Sequence, residues 1–405
     1  MSKTTKDEEK FMKKMLSLST LAMAAVFTVG TVQAADEIVI GATLAKTGRY
    51  ATSARTTETA IDIAVAEINT AGGINGKQIR LVKFDTNGDP KQAQVAVRSF
   101  AEDEGALAVI GPFSSGEARV AFAAGERLGI VQIPNASSAP ELADKFSYAY
   151  RVTESEFLQF NRLVGTMKAK GMDIADTSIM YVSDEFVSKA VGTMLMPAVF
   201  GIHKVDIVGE PLGFPTAAFD LSPQVAQLME KPTDTVAVAG IVEAVVKTAK
   251  ELRRQGHTGR IIGSGISADP DLAKKVGADG DGMLYATWFW WDRDDSTREF
   301  TTKFNAENAK RGIEKAGPHH VDASAYDIVY ILKAAMEAAG VTGDDDKLKT
   351  ERTAIRDTLS TLVHQGISGT ICFDKNGDAE LPAYIVEIMD GGISLVDSHP
   401  AKECS

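Results

Sequence analysis

The chain has 405 residues, with 43 Lys and Arg against 55 Asp and Glu, so its formal net charge is −12. A 44% hydrophobic content with 24% charged residues excludes a disordered chain, and an acidic balance without a basic stripe excludes nucleic acid as a partner. Two cysteines exclude a disulfide-rich scaffold and a Cys-rich zinc site, and the length accommodates about two domains.

Lys13 and Lys14 precede an apolar run over 15–32, and the small residues Ala34 and Ala35 follow it. This pattern predicts a secretory signal peptide over 1–34, cleaved after Ala34. Gly30, Thr28 and Thr31 dilute the run and argue against a membrane anchor. The mature protein is therefore expected in the periplasm. There Cys372 and Cys404 either form a bridge that ties the tail to the last hairpin or stay a free pair.

Strands and helices then alternate. A β-rich run over 37–41 precedes helical spacing of Ala60, Ile61, Ala64, Val65 and Ile68 over 56–69, which Gly72-Gly73 stops. Strands are predicted over 79–84, 106–112 and 130–134, with helices over 90–102 and 115–128. Such repeats argue for βαβ units and a parallel sheet. The pattern restarts near 155. Helices are predicted over 157–170, 188–200, 221–229, 242–255, 296–311 and 323–339, and strands over 178–182, 205–208, 235–239, 260–263 and 284–291. Asn376-Gly377, between runs at 369–373 and 383–386, predicts a hairpin.

Catalytic and metal signatures are missing: neither G-x-S-x-G nor H-E-x-x-H occurs. His319-His320 are adjacent and point apart on a regular element. Asp374-x-Asn376-x-Asp378 lacks the Gly and Glu of a calcium loop. Gly263-Ser264-Gly265-Ile266-Ser267-Ala268 lies too deep in the second half for a dinucleotide fingerprint. No enzyme activity, cofactor or metal is expected.

Two strand-to-helix turns carry more information, Gly111-Pro112-Phe113-Ser114-Ser115-Gly116-Glu117 and Pro134-Asn135-Ala136-Ser137-Ser138-Ala139-Pro140-Glu141. Each is predicted to follow a parallel strand and open a helix, where free N–H groups and a partial positive charge suit a carboxylate. Ser115 and Ser138 would add hydroxyl donors. The bland alternative is capping, for which Ser138-x-x-Glu141 has the right spacing.

Gly41 with Thr47-Gly48, then Ala66-Glu67-Ile68-Asn69-x-Ala71-Gly72-Gly73-Ile74-Asn75-Gly76, Asp89-Pro90 and Ala139-Pro140-Glu141-Leu142, resemble the type I periplasmic solute-binding proteins, in particular the leucine/isoleucine/valine-binding branch that serves ABC importers. The resemblance covers about 36–395. It implies two Rossmann-like α/β lobes joined by three crossings, the first over 36–155 plus 288–364 and the second over 156–287 plus 365–405. Ligand would bind between them and be trapped by closure. The resemblance places the carboxylate-holding hydroxyls on Ser115 and Ser138, an ammonium-accepting carbonyl on Ala136 and a second-lobe aromatic residue on Phe186. Its ammonium-gripping Tyr and acid fall on Ile241 and Gly265.

Those two departures carry the ligand expectation. A buried ammonium without a carboxylate costs several kcal/mol, so Ile241 and Gly265 favour a carboxylate without an α-ammonium, an aromatic or related acid. Phe113, Phe186 and Trp288 would stack on it, and Ser53 is a further ligand-side candidate. Glu243 or Asp269 would restore the acid and with it a branched-chain amino acid. Arg49 and Arg55 read as solvated surface arginines. The expected partners are a small carboxylate and an inner-membrane ABC permease, the protein acting as a monomer. The rival roles are a sensor subunit and an exported enzyme.

Overall fold

The structure, a computed structural model, describes residues 37–404. The predicted signal peptide and its cleavage site lie outside the described residues.

The first sheet is built from β1 (Glu37–Leu44), β2 (Gln78–Asp85), β3 (Ala108–Ile110) and β4 (Val131–Ile133), all parallel, in the order β2-β1-β3-β4. The helices between them are α1 (Ala51–Thr70), α2 (Pro90–Glu102) and α3 (Ser115–Leu128). On one face, Phe100, Val97 and Ala121 of α2 and α3 pack on Val109. On the other, Ala60, Ile61 and Ile68 of α1 join Ile38, Ile40 and Ile110. Parallel strands covered on both faces are nearly all apolar; β3 and β4 are buried at every position, with Gln132 of β4 donating to the Ala121 carbonyl.

The second sheet begins after α4 (Glu156–Ala169). It comprises β5 (Asp176–Val182), which α5 (Phe186–Ala190) and α6 (Met196–His203) follow, then the edge strands β6 (Asp206–Ile207) and β7 (Leu212–Phe214). Helix α7 (Ser222–Met229) leads to β8 (Thr235–Ala239), α8 (Val242–Arg254) to β9 (Arg260–Gly263), and the short α9 (Leu272–Val276) to β10 (Leu284–Thr287). Phe160, Leu163, Val199 and Phe200 cover one face of this sheet, and Val245, Ala249, Leu252 and Leu272 the other. Helices α10 (Asp295–Lys310), α11 (His320–Ala338) and α12 (Leu348–Leu359) return to the first core through Phe304, Ile328, Leu332 and Ile355. Strands β11 (Val363–Gly366) and β12 (Gly369–Cys372) pair with each other, and β13 (Ala383–Met389) and β14 (Gly392–His399) close the second sheet, β13 antiparallel to β10. The result is two doubly wound α/β lobes with three chain crossings between them.

Three expectations change. The strand expected over 284–291 stops at Thr287, because the chain crosses there: Trp288 and Phe289 enter the first core while Leu284 and Ala286 stay in the second. The hairpin expected around Asn376-Gly377 is only a local turn, with a Phe373–Ala379 bridge. Its flanking strands belong to different sheets, since β12 pairs with β11 and β13 with β10 and β14. Ile367, Ile371, Ala379 and Leu381 accordingly sit in the first core, whereas 365–405 was expected in the second lobe.

The crossings are tied by ions. Arg151, 2% exposed, holds Asp378 through two nitrogens, and Arg162 bridges Glu154 and Glu380. A disulfide joins Cys372, beside first-lobe Ile371, to Cys404 beyond β14 of the second sheet.

Candidate functional site

A cleft opens at the carboxyl ends of the strands, where both lobes contribute side chains. From the first lobe, Tyr50, Ser53, Phe113, Ser115, Ala136 and Ser138 line it. From the second come Glu156, Glu185, Val187, Ile241 and Ile266, with Trp288 and His319 from segments returning to the first lobe.

The turn after β3 carries a capped helix start to the cleft. Ser114 is the N-cap of α3, its hydroxyl donating to Glu117 Oε2 at 2.6 Å while Glu117 accepts from the Ser114 amide. The capping box thus belongs to Ser114, which leaves Ser115 and the amides of the first turn toward the cleft. Ser115, fully buried, accepts from the Ala139 amide at 3.2 Å. Tyr50 leans on Phe113, ring centroids 5.5 Å apart.

The turn after β4 corrects the sequence expectation, since no helix opens at residue 139. Arg151 takes the Ser137 and Ala139 carbonyl oxygens, and Glu141 adopts φ 54°, outside helical geometry. Ser138 therefore caps nothing. Its Oγ lies 3.3 Å from Glu156 Oε1, while Glu156 Oε2 accepts from the Gly265 amide at 3.1 Å. Burial pushes the Glu156 carboxyl up to about 8, against the hydrogen bonds that favour its charge.

The far wall is aromatic and neutral. Trp288 stacks on His320, centroids 3.4 Å apart, and donates from Nε1 to Ser324. His319 caps α11, its Nδ1 accepting from the Val321 amide at 3.2 Å, so the ring proton sits on Nε2. Burial drives this imidazole down to about 4 and keeps it uncharged.

Of the sequence-predicted residues, Ser53, Phe113, Ser115, Ala136, Ser138, Ile241 and Trp288 come together on the cleft, and Phe186 and Gly265 do not. Phe186 is 41% exposed, with the Arg119 guanidinium 5.1 Å above its ring. Gly265 opens no free volume, because a Cβ there would meet the Gln159 side chain at 2.7 Å. Neither proposed substitute acid is free. Asp269 is held by Lys315 at 2.7 Å, both side chains 3% exposed, and Glu243 faces Lys275 at the rim at 3.7 Å. Arg49 departs from a purely solvated reading: it lines the cleft and donates to the Asp184 carbonyl at 2.8 Å, whereas Arg55 is exposed and outside it.

Sequence reasoning missed Glu156, Glu185 and Tyr50. Tyr50 OH donates to Glu185 Oε1 at 3.0 Å across the lobes, and Glu185 caps α5 by accepting from the Val187 and Ser188 amides. The available sequence signal was an acid at a helix start, Glu156 as the first residue of α4 and Glu185 directly before α5.

A sequence profile of periplasmic binding proteins matches residues 37–392. Among curated relatives, an amino acid binding protein of Pseudomonas aeruginosa is 24% identical over 388 residues, 93% of this chain and 97% of that one. The Leu/Ile/Val-binding protein of Escherichia coli is 25% identical over 349 residues, 85% and 88% of the two chains. Among solved structures, a leucine-binding protein from Thermotoga maritima superposes with TM-score 0.76 at 21% identity, covering 90% of this chain and 99% of that one. A solute-binding protein of an ABC transporter from Rhodopseudomonas palustris, in complex with 3,4-dihydroxybenzoic acid, gives 0.78 at 17% identity, covering 91% and 98%.

Proposed function

This chain belongs to the periplasmic binding protein family, and we propose that it captures a small carboxylate with an aromatic or apolar body and delivers it to an ABC importer. The observation that carries this reading is the pairing, in one cleft, of the α3 start and Ser115 with the apolar wall of Phe113, Ile241 and Trp288. Unpaired amides and hydroxyls stabilise a carboxylate without a counter-cation, and the rings bury its body. Export through the N-terminal segment and loading of a permease are part of the same reading.

A branched-chain amino acid is the second reading, favoured by one observation. Glu156 reaches the backbone of Gly265 from α4, so an acid does stand where the resemblance calls for one.

A thermal-shift panel decides between them. Benzoates, cinnamates and aryl-keto acids are set against leucine, isoleucine and valine; a ligand at about 100 times its Kd adds about 2.7 kcal/mol. Stabilisation by acids alone supports the carboxylate, and stabilisation by leucine alone refutes it. Ser115→Ala should weaken the active ligand by about 1–3 kcal/mol, and unchanged affinity would remove Ser115 from the site.

A further inference from the structure

Glu156 is unusual for a cleft expected to hold an anion. It is a carboxyl 1% exposed, at the start of α4, touching the same Ser138 hydroxyl that lines the carboxylate end. The groups facing it are few. The Gly265 amide donates from the turn after β9, with the Ile266 amide beside it, and Gln159 lies one turn along α4. The Glu185 carboxylate faces it from the start of α5, itself held by Tyr50 and by the Val187 and Ser188 amides. Behind Ser138, Arg151 is committed to the Ser137 and Ala139 carbonyls and to Asp378. The elements packed on α4 present the uncharged Leu284, Ala286, Ile385, Val191 and Val199, while their titratable groups His203 and His399 meet α4 farther along, at Asn161 and Thr166. Glu156 thus faces amides, a hydroxyl and a second acid.

We infer that Glu156 is a positioning residue that sets the polarity of the Ser138 hydroxyl, and thereby makes the cleft take up a carboxylate together with a proton held on the protein. The inference rests on the carboxylate reading of the cleft. A contact between a carboxyl and a hydroxyl runs in either direction, according to which oxygen holds the hydrogen. When Glu156 is protonated, Oε1–H donates to Ser138 Oγ, and the Ser138 proton is turned outward to a ligand carboxylate. When Glu156 is ionised, Ser138 donates back to Oε1 and offers the cleft only lone pairs. A second negative charge then stands beside the ligand's own, in a site where solvent screens little. The protonated state is the one that burial favours, with a carboxyl that titrates at about 8. The same residue would reverse the preference for an ammonium: an ionised Glu156 attracts it, and affinity rises with pH.

The test is calorimetric titration of the full mature protein with benzoate, or with whichever acid of the panel stabilises it best, between about pH 6 and pH 10. These ligands stay ionised throughout, so a change in affinity reports the protein. The expected result is a flat Kd to about pH 8 and then a rise approaching tenfold per pH unit. Glu156→Gln replaces the titrating proton by a fixed N–H, and its Kd should lose this slope, whatever its absolute value; Ser138→Ala should keep only the part due to the charge of an ionised Glu156. The wild-type slope needs no variant to fold. A flat wild-type curve, or a Glu156→Gln curve that keeps the slope, overturns the role of Glu156 and leaves the carboxylate reading standing. Binding of leucine but of no acid, with affinity that rises with pH and is lost in Glu156→Gln, overturns both.

Discussion

Lys315→Met tests how the two lobes are held against each other. Lys315 lies between α10 and α11, whose side chains fill the first core, and its Nζ sits 2.8 and 2.7 Å from the two oxygens of Asp269 and 3.2 Å from Asp271, both on the second lobe after β9. Burial alone would raise the Asp269 carboxyl; Lys315 and, more weakly, His319 outweigh it and hold it below its usual range. Methionine keeps the length of the stem and removes the charge, which leaves two carboxylates facing an apolar seam. Losing one partner of a buried pair costs about 3–5 kcal/mol. The chain can escape that cost by parting the lobes, where Asp269 and Asp271 meet water. The loss therefore falls on the closed form, and Kd for the bound solute should rise roughly a hundred- to several-thousandfold. Calorimetry on both proteins reads this directly, and small-angle scattering should show the variant more extended without ligand. Lys315→Met with Asp269→Asn should recover part of the loss. A Kd within a few-fold of wild type would refute the argument and reduce the pair to packing.

Three further outcomes follow from other parts of the fold. Replacing Cys372 and Cys404 by Ser frees a loop of sequence separation 32, which chain entropy values at about 4 kcal/mol, read as a lower urea midpoint in the variant than in the oxidised protein. Asp322, fully buried and accepting from Thr56, Thr57 and the His319 amide, is pushed by burial up to about 7, although Lys315 opposes the shift. Its folded value lies above its unfolded one, so stability falls as pH rises from about 4 to 7, at up to about 1.4 kcal/mol per pH unit; urea unfolding of Asp322→Asn should lack that component. Gly265→Ala drives a Cβ to within 2.7 Å of the Gln159 amide and should cost about 1–3 kcal/mol of stability without changing which solutes bind.

Most of the architecture is legible in the sequence, because buried parallel strands and two-faced helices write their periodicity locally. Helices Pro90–Glu102 and Ser115–Leu128 carry their own start signals, Asp89 before Pro90 and Ser114 before Glu117. Partner choice is less legible. The runs around Asn376-Gly377 have hairpin chemistry, yet the strand after the turn pairs with β10, about a hundred residues earlier in the chain. Half of the cleft shows the same divide. Phe113 and Ser115 follow from one strand-to-helix turn, whereas Glu156 acquires its meaning from Ser138, 18 residues away, and from Gly265, 109 residues away. The resemblance aligns its acid with Gly265, and the carboxyl that meets the Gly265 amide comes from Glu156 on another helix.

The electrostatics of the cleft lead to one last expectation. Its cations are engaged elsewhere, Arg49 with the Asp184 carbonyl and Lys275 facing Glu243 at the rim, and Lys315, behind Asp269, is held by Asp269 and Asp271. The donors left to face a carboxylate are neutral dipoles, namely the Ser115 and Ser138 hydroxyls, the first amides of α3 and the uncharged His319 ring. Dipoles at contact distance in a buried site act over a few ångströms, well inside the Debye length at any ordinary salt concentration. Ionic strength should then matter little: raising sodium chloride from about 0.02 to 0.5 M should move the Kd of a bound acid by less than about twofold. An anion held by rim cations such as Lys275 would instead weaken steeply with salt. Titration at three salt concentrations separates the two, and a tenfold loss would place the anion at the rim and empty the cradle at Ser115.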